Sequence, residues 1–134
     1  MGAQGTTQQP EYLLRVFPVY ADTEQEYRTV VLLQTVREFA SFRYELGTEE
    51  TKSDHGIRFR VTGLKAPQLS LPGNGPAFMR REYQGLNGDL TITIEGLDGK
   101  TNTFEFAVSE RSVTLINAPA DPFVNVHTTE EIEP

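Results

Sequence analysis

The chain has 134 residues, enough for one domain with one core, and no cysteine, which excludes disulfide staples, thiolate metal sites and cysteine nucleophiles. Its 19 acidic residues against 12 lysines and arginines leave a formal net charge of −7 at pH 7, which argues against general attraction to phosphate backbones. The longest apolar run, Val30 to Leu33, falls far short of the roughly 20 residues that span a bilayer.

Residues 1–10 are mostly Gly, Gln and Thr and read as a disordered leader. They show neither a basic segment nor an apolar one, so the expected location is cytoplasmic. Tyr12 to Tyr20 reads as a first strand, and Pro18, lacking an amide donor, pushes it toward an edge or a bulge. Thr23 to Ala40 supports two readings. Thr23 with Glu26 forms a capping box ahead of a stripe of Leu32, Leu33, Val36, Phe39 and Ala40, which favours a helix. The β-branched Thr29, Val30, Val31, Thr35 and Val36 favour a strand at about Arg28 to Val36, and the strand is the preferred reading.

Strict alternation follows at Phe42, Tyr44 and Leu46 and again at Ile57, Phe59 and Val61, joined by the polar stretch Gly47 to Gly56. Period two on both sides of a polar joint predicts a β-hairpin with one buried face. Gly63 to Pro76 carries three prolines and three glycines and reads as a loop, with Leu69 and Leu71 as a very short edge strand within it. Leu90 to Glu95 and Asn102 to Val108 flank Asp98-Gly99, a short-hairpin signal, and Ser112 to Ile116 adds a last strand. Residues 11–118 thus form one β domain, and 119–134 an acidic, flexible tail. Seven or so short strands predict an all-β, mainly antiparallel fold, a single-domain β-sandwich that is immunoglobulin-like in architecture only. The alternatives are a small β-barrel, or an α+β fold if residues 23–40 are helical.

Charge is unevenly spread. Residues 37–81 hold eight cations against five acids, and residues 82–134 hold two against ten. Arg43, Arg58 and Arg60 fall on the outward parity of the hairpin, where planar guanidinium groups suit docking of acidic protein segments. Arg80 and Arg81, beside Phe78, Met79 and Tyr83, mark a candidate contact loop after the Gly/Pro stretch. Glu49, Glu50, Asp54 and His55 lack the register of a calcium loop and read as a hairpin tip. With only His55 and His127, a three-histidine metal site is impossible. No serine lies in a Gly-x-Ser-x-Gly elbow, and Pro72 to Pro76 lacks the Lys-Ser/Thr of a phosphate loop.

These residues predict a non-catalytic protein-binding or assembly module with no cofactor, no metal and no catalytic residue. It would contact a protein partner, or a second copy of itself, through Arg43, Arg58, Arg60, Arg80, Arg81 and Tyr83, and would bind neither nucleic acid nor membrane. The rival is a ligand-binding or enzymatic β-barrel with a pocket lined by Tyr12, Tyr20, Phe42 and Tyr44.

Overall fold

A computed structural model describes residues 10–40, 44–66 and 75–129. It contains β1 (Tyr12–Ala21), β2 (Glu26–Phe39), β3 (Glu45–Lys52), β4 (Gly56–Lys65), β5 (Gly75–Tyr83), β6 (Gly88–Glu95), β7 (Thr101–Val108), β8 (Val113–Asn117) and β9 (Val124–His127). All nine join one mixed sheet in the order β8-β7-β6-β4-β3-β5-β2-β1-β9, and no helix occurs among the described residues.

Alternation places β4, β6 and β7 as the sequence predicts, but the polar stretch Gly47 to Gly56 is not a joint: Gly47 to Lys52 belongs to β3, where Glu49 and Glu50 pair with Arg60 and Phe59, and only Ser53, Asp54 and His55 form the tip. Ile57, Phe59 and Val61 of β4 are buried while Arg58, Arg60 and Thr62 face out. The β6–β7 register sets Leu90 opposite Phe106 and Ile92 opposite Phe104, so both strands present large side chains to the same interior. β2 resolves as a strand of 14 residues, paired with β1 along one side and with β5 along the other. Two ladders satisfy its backbone, and Val30 and Val31, which lie off any helical stripe, are both fully buried on opposite faces. At Pro18 the ladder partner of β1 is β2, because β9 pairs only with residues 12–15, so the missing amide falls where one side of the strand carries no ladder.

A single curled sheet replaces the expected two-layer sandwich. Its curvature comes from register shifts between Gln34 and Glu38, between Gly47 and Thr48, and between Glu105 and Phe106. At Gly47 a Cβ would stand 2.7 Å from Thr62 Oγ1 and 3.3 Å from the Gly63 carbonyl oxygen, so a larger residue there would force the Thr62 side chain to turn away. The sheet wraps into a half-barrel, and Leu14, Val16, Leu33, Phe59, Ile94 and Phe106 meet in its concavity as one core. The small-barrel alternative is therefore the nearer of the two predictions. Residues 124–127, grouped with the tail by composition, pair in parallel with β1 as β9.

The curl is fastened at one end by a side chain. Asn102 at the start of β7 is buried, and its Oδ1 accepts from the backbone amides of Phe123 at 2.8 Å and Val124 at 3.2 Å. Phe123 packs edge-on against Tyr12 at 6.2 Å, and its carbonyl accepts from the amide of Glu11 at 2.8 Å. Asn102→Ala leaves two buried donors without acceptors, each costing about 1–3 kcal/mol. Urea unfolding of this variant should show a loss of about 2 kcal/mol or more, with the amides of Phe123 and Val124 losing hydrogen-exchange protection before those of β6.

Candidate functional site

Between β3 and β5 the ladder holds a single pair, Glu45 with Phe78, and side chains bridge the remainder of that seam. The Tyr83 hydroxyl donates to Glu50 Oε2 at 2.7 Å, and Arg81 Nε lies 3.5 Å from Glu50 Oε1. Lys52 places its ammonium 5.1 Å from the centre of the Tyr83 ring. Burial, and then the Glu50 carboxylate, push the Tyr83 phenol well above its ordinary value. Tyr83 is thus held protonated as a donor and is unsuited to act as a nucleophile or base. Nearer the other end of the seam, Leu46, Thr48, Lys65, Met79 and Arg81 line a cleft of about 260 Å³, where Thr48 Oγ1 is sealed without a partner.

The Tyr83 end of the half-barrel gathers a second group. Tyr20 and Tyr27 face each other across the β1–β2 ladder and meet edge-on at 5.0 Å, with Tyr20 49% exposed. Arg111, from the turn between β7 and β8, stands 5.4 Å over the Tyr27 ring. Thr29, two residues from Tyr27 on the same face, is paired with Tyr83, so the two ring-and-cation pairs flank one rim.

The arginines singled out by sequence sit differently. Arg58 pairs with Glu95 at 2.6 Å, Arg60 with Glu49, and Arg80 with Glu82, while Arg43 lies outside the described residues. The Arg80 hydrogen bond foremost, with Arg28 adding to it, holds the Glu82 carboxyl below its usual range. The outward face of the hairpin is therefore matched in charge rather than basic. The stretch Phe78 to Tyr83 is strand β5, not a loop. Lys52, Tyr27 and Arg111 carried no signal of their own in the sequence, since the turn that brings Arg111 to Tyr27 is set by the curl, and Tyr20 stood out only as a lining residue of a barrel pocket.

At the opposite end, Tyr12, Val36, Arg37, Phe39, Leu64 and Leu97 line a groove of about 540 Å³. Arg37 lies 5.1 Å over Phe39, whose ring meets Tyr44 edge-on at 5.7 Å. The aromatic pocket proposed for a barrel is thus split: Tyr12 lines this groove and Tyr20 lies at the far rim. Phe42 is outside the described residues. Among the described residues no group of three or more histidine, aspartate or glutamate side chains is placed to hold a metal ion, and no helix is long and apolar enough to cross a membrane.

The chain is 33% identical over 78 residues to the Endonuclease NucS of Micrococcus luteus, a stretch that takes in 58% of this chain and 33% of that protein. The chain thus spans about a third of the length of the curated relative it matches. No protein-family model matches it, and no solved structure matches it. Similarity to an endonuclease corrects the expectation of a non-catalytic protein-binding module, and with it the exclusion of nucleic acid as a partner. It also runs against the expectation that the chain is no enzyme. The physical error lay in net charge: at physiological salt, fields fade over about 8 Å, so local cations outweigh a distant total.

Because the folded phenol of Tyr83 binds its proton more tightly than an unfolded one, its contribution to stability is full below about pH 10 and is lost as pH climbs toward the folded value. Tyr83→Phe should cost about 1.5–3 kcal/mol at pH 7, the range for a hydrogen bond to a charged group. The gap between wild type and variant should close in denaturation curves recorded above pH 10.

Proposed function

We propose that this chain is a nucleic-acid-binding β domain of an endonuclease-like protein, and that it grips its ligand at the rim bearing Tyr20, Tyr27, Arg111, Lys52 and Tyr83. The similarity to Endonuclease NucS motivates the ligand class. The observation that carries the reading is the state of the cations. Arg28, Arg58, Arg60, Arg80 and Arg81 lie beside carboxylates. Among the described residues Arg37, Lys52 and Arg111 have no carboxylate partner, and each lies over an aromatic ring.

A cation on a ring face keeps its full charge for an incoming phosphate, whereas one beside a carboxylate is already neutralised. Aromatic faces stack on bases, each worth about 1–3 kcal/mol, and the half-exposed Tyr20 offers such a face beside Arg111. Two ring-and-cation pairs on one rim therefore supply both elements that a nucleic-acid strand needs. Binding, rather than bond cleavage, is the role assigned to these residues.

Fluorescence anisotropy with labelled single-stranded and duplex oligonucleotides between 50 and 200 mM salt tests this. Lys52→Gln combined with Arg111→Gln should weaken binding roughly tenfold and flatten the dependence of log affinity on log salt by about 1 to 2, as two lost phosphate contacts require. Arg58→Gln with Arg60→Gln should leave affinity within about twofold, since those cations are neutralised already. Absence of binding at 50 mM salt, or an unchanged slope in the first variant, would overturn the assignment.

A further inference from the structure

The face of β1 turned away from the core carries an arginine that the rim does not use. Arg15 is only 4% exposed, and its Nε is sealed from solvent without a hydrogen-bond partner. Register sets it opposite Leu32 on β2 and His127 on β9, and Leu32 in turn opposite Arg80 on β5. Phe17 and Val30, opposite each other on the same face, are also buried, so apolar chains wall Arg15 on that side, and Glu82, opposite Val30 one strand further out, is engaged by Arg80 and Arg28. Among the described residues no carboxylate pairs with it.

A guanidinium stays charged at any ordinary pH, and taking such a charge out of water without a partner is strongly unfavourable. Burial alone lowers the pKa of Arg15, which is the signature of a cation with no anion beside it. An anion arriving from outside would offset that cost and would bind in a low-dielectric setting where the interaction is strong. The surrounding donors define its kind. His127 is exposed on the neighbouring strand, and Asn125 and Gln34 lie on the same face in the adjacent row, paired with Leu13 from either side. Donors spread over three strands suit a group with several oxygens, and the planar fork of arginine suits two of them at once.

We propose that Arg15 is the receiving group of a phosphoryl-anion site on this outer face, with His127 at its rim. The site is distinct from the ring-and-cation rim, and it rests on the nucleic-acid reading only for the source of the phosphoryl group. That source is either a phosphodiester of bound nucleic acid or a free phosphate.

The test is thermal unfolding of the full chain in inorganic phosphate and in sodium chloride at equal ionic strength, for wild type, Arg15→Met and Arg15→Lys. Wild type should melt a few degrees (about 2–5 °C) higher in phosphate than in chloride. Arg15→Met should melt above wild type in phosphate-free buffer, since an unpartnered buried charge has been replaced by an apolar chain of similar length, and should show no phosphate-specific rise. Arg15→Lys, keeping the charge without the fork, should retain part of the rise. Equal melting of wild type in the two salts would overturn the proposal. So would Arg15→Met melting below wild type without phosphate, which would mean the guanidinium is already satisfied inside the protein. Oligonucleotide affinity then assigns the source. A several-fold loss in Arg15→Met supports a phosphodiester, and unchanged affinity alongside a persisting phosphate-specific rise in wild type supports free phosphate. Failure of the rim reading would show separately, in the Lys52 and Arg111 variants.

Discussion

The fold depends on one buried amide side chain. A single sheet has no second layer to cover its apolar face, so the nine strands must curl until the face meets itself. Curling brings together segments that no ladder joins, and Asn102 fastens them by taking the backbone amides of Phe123 and Val124, at the start of β9, on one oxygen. That clasp seats Phe123 against Tyr12 and holds β9 in register with residues 12–15 of β1. The continuous core from Leu14 and Leu33 through Phe59 to Phe104 and Phe106 exists because the two halves of the sheet are held facing one another.

The curl also decides which charges are spent. Adjacent strands bring Glu49 opposite Arg60, and the neighbouring β4 and β6 bring Glu95 to Arg58, so the outward arginines meet acids. Such exposed pairs add little stability, but they remove cationic charge from the surface. Among the described residues, those left without a carboxylate are Lys65, Arg37, Lys52 and Arg111, the last three on aromatic rings, together with Arg15 beneath the opposite face. A chain of net charge −7 thereby keeps a few sharply placed positive groups, and at short range those decide what can approach.

β4, β6 and β7 were legible in the sequence, whereas the polar β3 read as a joint because Glu49 to Lys52 offer no apolar alternation. Ile57, Phe59 and Val61, like Leu90, Ile92 and Ile94, alternate because one face of each strand stays in water. β2 was less so, since burial on both faces at Val30 and Val31 erases the alternation that separates strand from helix. β5 read as a loop because it follows a Gly/Pro stretch and runs through Arg80, Arg81 and Glu82, with alternation confined to Ala77 and Met79. Sandwich and half-barrel share the same period and turn signals, and they differ only in the register shifts and in the Asn102 clasp, neither of which has a local signature. For the same reason the free appearance of Arg58, Arg60, Arg80 and Arg81 was deceptive, while Tyr27 and Arg111, far apart in the chain, gave no hint that they meet.

Amide chemical-shift mapping shows whether the rim of Tyr20, Tyr27, Arg111, Lys52 and Tyr83 receives nucleic acid as proposed. Titrating an unlabelled single-stranded oligonucleotide into the isotope-labelled chain at low salt should move the amides of residues 20, 27, 52, 83 and 111 together, in one saturable process. Shifts confined to the charge-matched face of Arg58 and Arg60, or none at millimolar oligonucleotide, would show that this rim is not the nucleic-acid surface.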